Sequence, residues 1–331
     1  MTPPIPTILC FDVEPDDIEV PTGAPPWAGF ERLVERADAW RERLTIATRR
    51  PVRFSWFLRM DPQIAEAYGT PGWVVDRYGG QLDRLRAAGD VIGLHPHALR
   101  LTATPGRWVA DHADAEWVDQ CVDMAYEAYR VAFGEPCRAQ RFGDRFISAR
   151  ALRRAVELGA RYDLSVEPGA RRLASLHPGM AATGRSPDMR DAPREPYRPS
   201  RDDPIRPDVT GSEHPGRADT TTAPWMIPLT SVDPHPMLPA WRRAARRVRH
   251  PGGPWHRPAT LAAPWPADGF WGVIERELDA MARPYLAFAV RSDVSVKPAQ
   301  IGPIEEKIAR LQTLPIAERL EFTTPDAVVP A

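Results

Sequence analysis

Short apolar runs alternate with stretches in which apolar residues recur every three or four positions, and this alternation organises the first half of the chain. Ile8-Leu9-Cys10-Phe11 is an apolar run that stops abruptly in Asp12-Val13-Glu14-Pro15-Asp16-Asp17, the signature of a buried strand ending in acids. A proline-punctuated loop over 19–26 follows. Leu33, Ala37, Trp40 and Leu44 then fall at helical spacing and predict a helix over about 30–48. A second strand is expected over 52–58, with a turn opening at Asp61-Pro62. Tyr78, Leu82 and Leu85 mark one face of a helix over 74–88 that closes at Gly89-Asp90. The third strand, Val91-Ile92-Gly93-Leu94, runs directly into His95-Pro96-His97.

A long helix is expected over 114–132, stopped by Gly134, and a short arginine-bearing strand over 137–143. Ser148 has the character of an N-cap for a helix carrying Leu152 and Val156, and 162–166 reads as a further strand. Strands alternating with helices at this pace predict a parallel α/β arrangement, a barrel or a distorted one. The regularity fails over about 168–266, which is crowded with Pro, Arg, Asp and Thr and keeps only Trp225-Met226-Ile227-Pro228-Leu229 as a strand candidate. A connection this long is unusual in a compact domain, so part of it is expected to be a lid or an extension lying on the barrel. Order returns with helices over 271–281 and 301–314, a strand over 285–290 and a last short strand at Leu320-Glu321-Phe322. The expectation is one domain over 1–331, without solenoid or propeller repeats.

Composition narrows the function classes. With 331 residues, 43% of them hydrophobic, the chain can bury a large core. Its formal charge of -1 gives no case for nucleic acid or a membrane surface as partner. Three cysteines without framework spacing suggest reduced thiols. Neither a secretory signal nor an apolar run of bilayer length is evident, so the expected location is the cytoplasm.

The candidate chemistry sits at strand ends. Side chains alternate along a strand, so Asp12 and Glu14 share one face, and His95 and His97 share another if their backbone is extended. Two carboxylates and two imidazoles at the carboxyl ends of barrel strands converge on one mouth. One carboxylate can ligate a metal while the other moves protons. Standing alone, the acids also fit a solvated loop, and the histidines fit loop residues bonded to backbone.

The order of these motifs resembles the polysaccharide deacetylase (NodB homology) family of carbohydrate esterases, with the WalW-like branch, associated with lipopolysaccharide biosynthesis, as the nearest group. That resemblance implies a distorted parallel β/α barrel, a divalent metal and a carbohydrate substrate. Asp12 matches the catalytic base, and Gly93-Leu94-His95-Pro96-His97 is similar to the metal-binding histidine motif. Cys137-Arg138-Ala139-Gln140-Arg141-Phe142-Gly143 resembles the arginine strand, and Tyr162-Asp163-Leu164-Ser165-Val166 the family's Tyr-Asp-Ser-Ser-Val segment. Three positions depart from the pattern. Val13 stands where an aspartate ligand is usual, Leu99 where the second histidine is usual, and Arg291 where a general-acid histidine is usual.

The resemblance therefore implies zinc or another divalent ion on Glu14, His95 and His97, with Asp12 as base. Arg138 is expected to hold that base and Asp163 to stand behind it, although a solvent-facing acid fits Asp163 equally. Arg291 stays charged and can stabilise an oxyanion but not deliver a proton. His235 is the best replacement acid, while also fitting an ordinary loop histidine. Acyl removal from a cell-envelope sugar is the activity implied. The three departures equally suit an inactive barrel that binds glycan or acts as a scaffold. A basic amphipathic segment over 241–250 suits either an anionic ligand or a solvated helix face, and the 11 tryptophans suit sugar stacking or core anchoring.

Overall fold

The computed structural model describes residues 3–102, 106–177, 179–208, 223–238, 241 and 256–329. In chain order the first strands are β1 (Ile5–Val13), β2 (Ser55–Leu58), β3 (Val91–Leu94), β4 (Leu99–Leu101), β5 (Trp108–Asp111), β6 (Ala139–Gln140) and β7 (Tyr162–Asp163). They are followed by β8 (Ala181–Thr183), β9 (Trp225–Met226), β10 (Ser231–Val232), β11 (Arg257–Pro258), β12 (Leu286–Arg291) and β13 (Leu320–Phe322). The α-helices whose bounds lie within the described residues are α1 (Ala28–Thr48), α2 (Pro62–Tyr68), α3 (Trp73–Ala87), α4 (Ala115–Phe133), α5 (Ala149–Glu157), α6 (Ala267–Ala280) and α7 (Pro298–Leu311).

The main sheet runs β12-β1-β2-β3-β6-β7-β9, with β13 against the start of β1, and every pair in it is parallel. Beyond β9, the Thr230 N–H donates to the Ala287 carbonyl of β12 at 2.8 Å, so the two edges of the curled sheet meet. The result is the expected distorted parallel β/α barrel.

Alternation along β1 decides what faces inward. Ile8 and Cys10 join Phe57, Ala139, Leu164, Ile227 and Ala287 in a cluster drawn from strands and their extensions, which is the barrel interior. Leu9, Phe11 and Val13 point the other way, toward the helices. There the Phe11 ring lies 4.3 Å from Trp56 and 5.3 Å from Phe54, and Leu33, Ala37, Trp40 and Leu44 of α1 are fully buried above them. Each such ring contributes about 1.5–3 kcal/mol on burial. A one-residue slip of β1 would forfeit several of them, so the register that points Asp12 and Glu14 inward is strongly specified. Gly93 in β3 is required by packing, since a Cβ there would lie 2.5 Å from the Ala139 carbonyl oxygen.

Three features depart from the periodicity reading. Asp61-Pro62 opens a helix rather than a turn, because the Asp61 carboxylate accepts from the Gln63 N–H at 3.1 Å and Pro62 occupies the first helical position. β4, β5 and β8 form a second, three-stranded sheet, too short for periodicity to reveal. The described parts of 168–266 also carry a cluster in which Met189, Ala192, Tyr197 and Ile205 pack against Leu152, Val166 and Met226. Tyr197 and Met226 exchange backbone hydrogen bonds at 3.0 and 2.9 Å. These anchors are spaced by turns and prolines, so no helical or strand period announces them. Of the basic segment 241–250, only Trp241 falls within the described residues.

Arg194 ties this region to α6 by an ion pair with Glu277, which also accepts from the Asp233 N–H at 2.9 Å and faces His256 at 3.6 Å. Burial alone would raise the Glu277 carboxyl, but His256, the Asp233 amide and Arg194 outweigh it and pull it down to about 2. A pKa lower in the folded state contributes stability above the ordinary value near 4.5, and the contribution fades as pH falls toward 2. Thermal melts of the wild type and Glu277→Gln should therefore differ most above pH 4.5 and converge near pH 2.

Candidate metal centre

All strands of the main sheet are parallel, so their carboxyl ends share one rim, and the polar residues just beyond them meet there. Past Cys10, Asp12 and Glu14 keep the inward face of β1. Ser292 fixes the backbone at Glu14: its hydroxyl accepts from the Glu14 N–H at 2.8 Å and donates to the Glu14 carbonyl at 2.9 Å. At the end of β3, the His95 N–H continues the ladder to the Leu58 carbonyl at 2.8 Å, and the His97 N–H donates to Asp61 at 3.1 Å. The His97 ring lies against Gly143, where a Cβ would come within 2.0 Å of Nε2, so glycine is needed for the ring to sit there.

Glu14, His95 and His97 are each about 3% exposed and form the set of side chains able to hold a metal ion among the described residues. His95 Nε2 lies 3.4 Å from Glu14 Oε1, His97 Nε2 lies 3.7 Å from Glu14 Oε2, and the two Nε2 atoms are 3.1 Å apart. Ligand atoms about 2.0–2.1 Å from a tetrahedral ion lie about 3.4 Å from one another, so these separations fit one ion.

The tautomers fit as well. His95 Nδ1 is 2.6 Å from the Arg141 carbonyl oxygen, which can only accept, so Nδ1 carries the proton and Nε2 a lone pair. Burial and the Arg59 guanidinium push His97 down to about 4, leaving it neutral at neutral pH. Burial would raise Glu14, but the Arg291 guanidinium, foremost among the groups facing it, outweighs that and holds its carboxyl well below the usual range. Three lone-pair donors thus face one point, an arrangement that a cation relieves.

Two guanidiniums flank Glu14, each anchored to another acid, although Arg59 Nη1 is buried without a hydrogen-bond partner on the Glu14 side. Arg59 gives Nε and Nη2 to Asp61, and Arg291 gives Nε and Nη2 to Asp293 at 3.0 and 3.1 Å. Their approaches to Glu14 are 3.8 and 3.4 Å, too long or oblique to satisfy its oxygens in place of an ion.

Asp12 stands beside this set. Its Oδ2 accepts from Arg141 Nε at 3.2 Å, while Oδ1 is buried without a hydrogen-bond partner and lies 3.8 Å from His95 Nδ1. Arg141 also donates to the Leu164 carbonyl at 2.8 Å and to Glu167 at 2.7 Å, and Glu167 is gripped by Arg145 at 2.5 Å. Burial works against the Arg141 charge, but Asp12 and Glu167 outweigh it.

The structure brings Asp12, Glu14, His95, His97 and Arg291 to one rim. Arg138, expected to hold Asp12, is exposed, and its carbonyl serves the Arg161 and Tyr162 amides; the arginine that reaches Asp12 is Arg141, three residues on. Asp163 is buried rather than solvent-facing. Its oxygens accept from the Ser165 N–H and Gln140 Nε2, both at 2.8 Å, so it ties the end of β6 to the segment just past β7 rather than holding Asp12, and burial pushes its carboxyl up. His235 begins a one-turn helix, half-buried, with its N–H on Asp233 at 3.0 Å; none of the rim ion pairs described here includes it. The periodicity reading missed Arg59, Asp61, Asp144 and Glu167. The strand-end rule that singled out Asp12 and His95 reaches Arg59 and Asp61 when applied to β2 as well, but not Asp144 or Glu167, which lie four residues beyond β6 and β7 respectively.

Neither a family model nor a curated protein sequence matches this chain. Among solved structures it is similar to a Parabacteroides distasonis protein provisionally assigned as a glycoside hydrolase/deacetylase, at 14% identity and a TM-score of 0.53 over 94% of this chain and 67% of that one. The chain has the fold of a deacetylase-type barrel. A provisionally assigned polysaccharide deacetylase from Mycobacterium smegmatis aligns over 95% of this chain and 89% of that one, at 13% identity and a TM-score of 0.43. A family 4 carbohydrate esterase from Streptomyces lividans aligns over 48% and 62%, at 12% identity and a TM-score of 0.30. Among the described residues of this deacetylase-type barrel, no helix is long and apolar enough to cross a membrane.

Proposed function

We propose that the chain is a metal-dependent hydrolase that removes an acyl group, acetyl in the first instance, from a sugar of a cell-envelope polysaccharide or its cytoplasmic precursor. The observation that carries this reading is the convergence of Glu14, His95 and His97 lone pairs beside an Asp12 carboxylate with one oxygen free. Two imidazoles and one carboxylate suit zinc, which when bound supplies Lewis acidity toward an acyl carbonyl and a water molecule. Asp12 Oδ1 takes the proton from the attacking water, and Arg141, donating to Oδ2, keeps the carboxylate aimed. Arg291, one-third exposed at the rim, brings positive charge to where negative charge develops on the acyl oxygen. The described parts of 168–266 fit a cover laid on the barrel, and the WalW-like branch with its lipopolysaccharide role is the finer assignment we favour.

The rival is a glycan-binding barrel without catalysis, favoured by the two guanidiniums that partly offset the Glu14 charge. Metal analysis separates the two. The purified full chain should carry about one ion, and His95→Ala should lose it while keeping its far-UV spectrum. Wild-type protein free of metal after zinc loading, or a His95→Ala variant that keeps its ion, would remove the basis for this chemistry.

A further inference from the structure

We infer that Asp144 is a positioning residue for His97, and that His112 and His177, brought in by the small β4-β5-β8 sheet and the loop before β8, hold Asp144 in that role. The inference rests on the metal set proposed above.

Asp144 follows β6 in a backbone conformation that side chains other than glycine rarely adopt, with φ of 53°, and Arg145 after it has the same value. Such strain persists only where the surroundings impose it. The Asp144 side chain is 1% exposed, and neither carboxylate oxygen has a formed hydrogen bond among the described residues. A buried ionised carboxylate left so is costly, and the groups turned toward it are three imidazoles. His177 Nε2 lies 3.4 Å from Oδ1, while His97 Nδ1 and His112 Nε2 lie 3.5 and 3.9 Å from Oδ2.

These partners come from separate parts of the chain. The His112 N–H donates to the Thr183 carbonyl at 3.0 Å, next to the β5–β8 pairing, and its ring stacks on Phe146 at 4.5 Å. His177 belongs to the loop preceding β8. The accessory sheet and the loop before β8 therefore turn two imidazole Nε2 atoms toward the carboxylate that backs a metal-ligating ring.

A neutral imidazole carries one N–H. On Nδ1 of His97 it points at Asp144 and leaves the Nε2 lone pair facing Glu14 and His95. On Nε2 it would block the donor set and set a Nδ1 lone pair against a carboxylate. Asp144 thus selects the ligating tautomer and steadies the ring, as a carboxylate behind a metal-bound histidine does.

The test uses the full chain with 15N-labelled histidine. In zinc-free wild type, long-range 1H–15N spectra should show His97 protonated on Nδ1. Asp144→Asn keeps the side-chain size and tolerates the left-handed backbone; it should shift His97 toward the Nε2 tautomer. Zinc competition against a chromophoric chelator should show affinity about 10–100-fold weaker for Asp144→Asn, with a smaller loss for the His112→Ala/His177→Ala double variant. A His97 that stays on the Nδ1 tautomer, or zinc affinity unchanged in a folded Asp144→Asn, overturns the inference. Should wild type bind no zinc, the metal reading falls by itself, and the tautomer measurement alone decides the role of Asp144.

Discussion

Replacing Asp12 with asparagine is expected to lower acyl release by about 10²–10⁴-fold while leaving the bound metal and the melting temperature essentially unchanged. The expectation follows from where Asp12 stands. It lies outside the donor set, its Oδ2 is held by Arg141 at 3.2 Å, and its Oδ1 has no partner to satisfy it. Asparagine matches the shape and can still accept from Arg141, but it cannot take a proton at Oδ1. Glu167 remains to balance the guanidinium, so the barrel should fold as before. Acetate release from an acetylated amino sugar or oligosaccharide, measured beside metal content, checks both halves. Retained activity would exclude Asp12 as the base. Loss of the ion would move it into the ligand set.

The parts of this site that are legible in the sequence are those a strand period controls. Asp12 and Glu14 are two apart on a strand whose other residues are apolar, so the register that buries Ile8 and Cys10 also turns both acids inward. His95 and His97 follow by the same rule across Pro96. The period gives no purchase where strands shrink. β6 contains only Ala139 and Gln140, so nothing in the pattern distinguishes an arginine before it from one after it. Arg138 precedes the strand and faces solvent, whereas Arg141 lies past the end, at the rim, like Asp12 and His95. Asp144 was illegible for another reason. Its importance comes from a backbone conformation and from imidazoles some 30 residues away on either side, neither of which leaves a local trace. Residues 168–208 hid their packing similarly, since Met189, Tyr197 and Ile205 are buried by tertiary contacts among turns.

The two arginines of that strand should separate sharply in stability. Arg141→Met is expected to destabilise the protein by about 3–5 kcal/mol, the range for removing one partner of a buried ion pair, and to lower acyl release as well. Asp12 and Glu167 would both lose their main counter-charge inside the barrel, and the Leu164 carbonyl would lose its donor. Arg138→Met, at an exposed site, should stay within about 0.5 kcal/mol of wild type. Arg141→Lys makes the comparison specific. A lysine keeps the charge but reaches one point where the guanidinium reaches three, so it should recover part of the stability without restoring the orientation of Asp12. Denaturant unfolding midpoints and turnover of the three variants check this. Equal damage at Arg138 and Arg141 would mean that the arginine holding the base has been assigned to the wrong side of β6, and full activity in Arg141→Lys would mean that charge alone, without the planar fork, suffices to hold Asp12 in place.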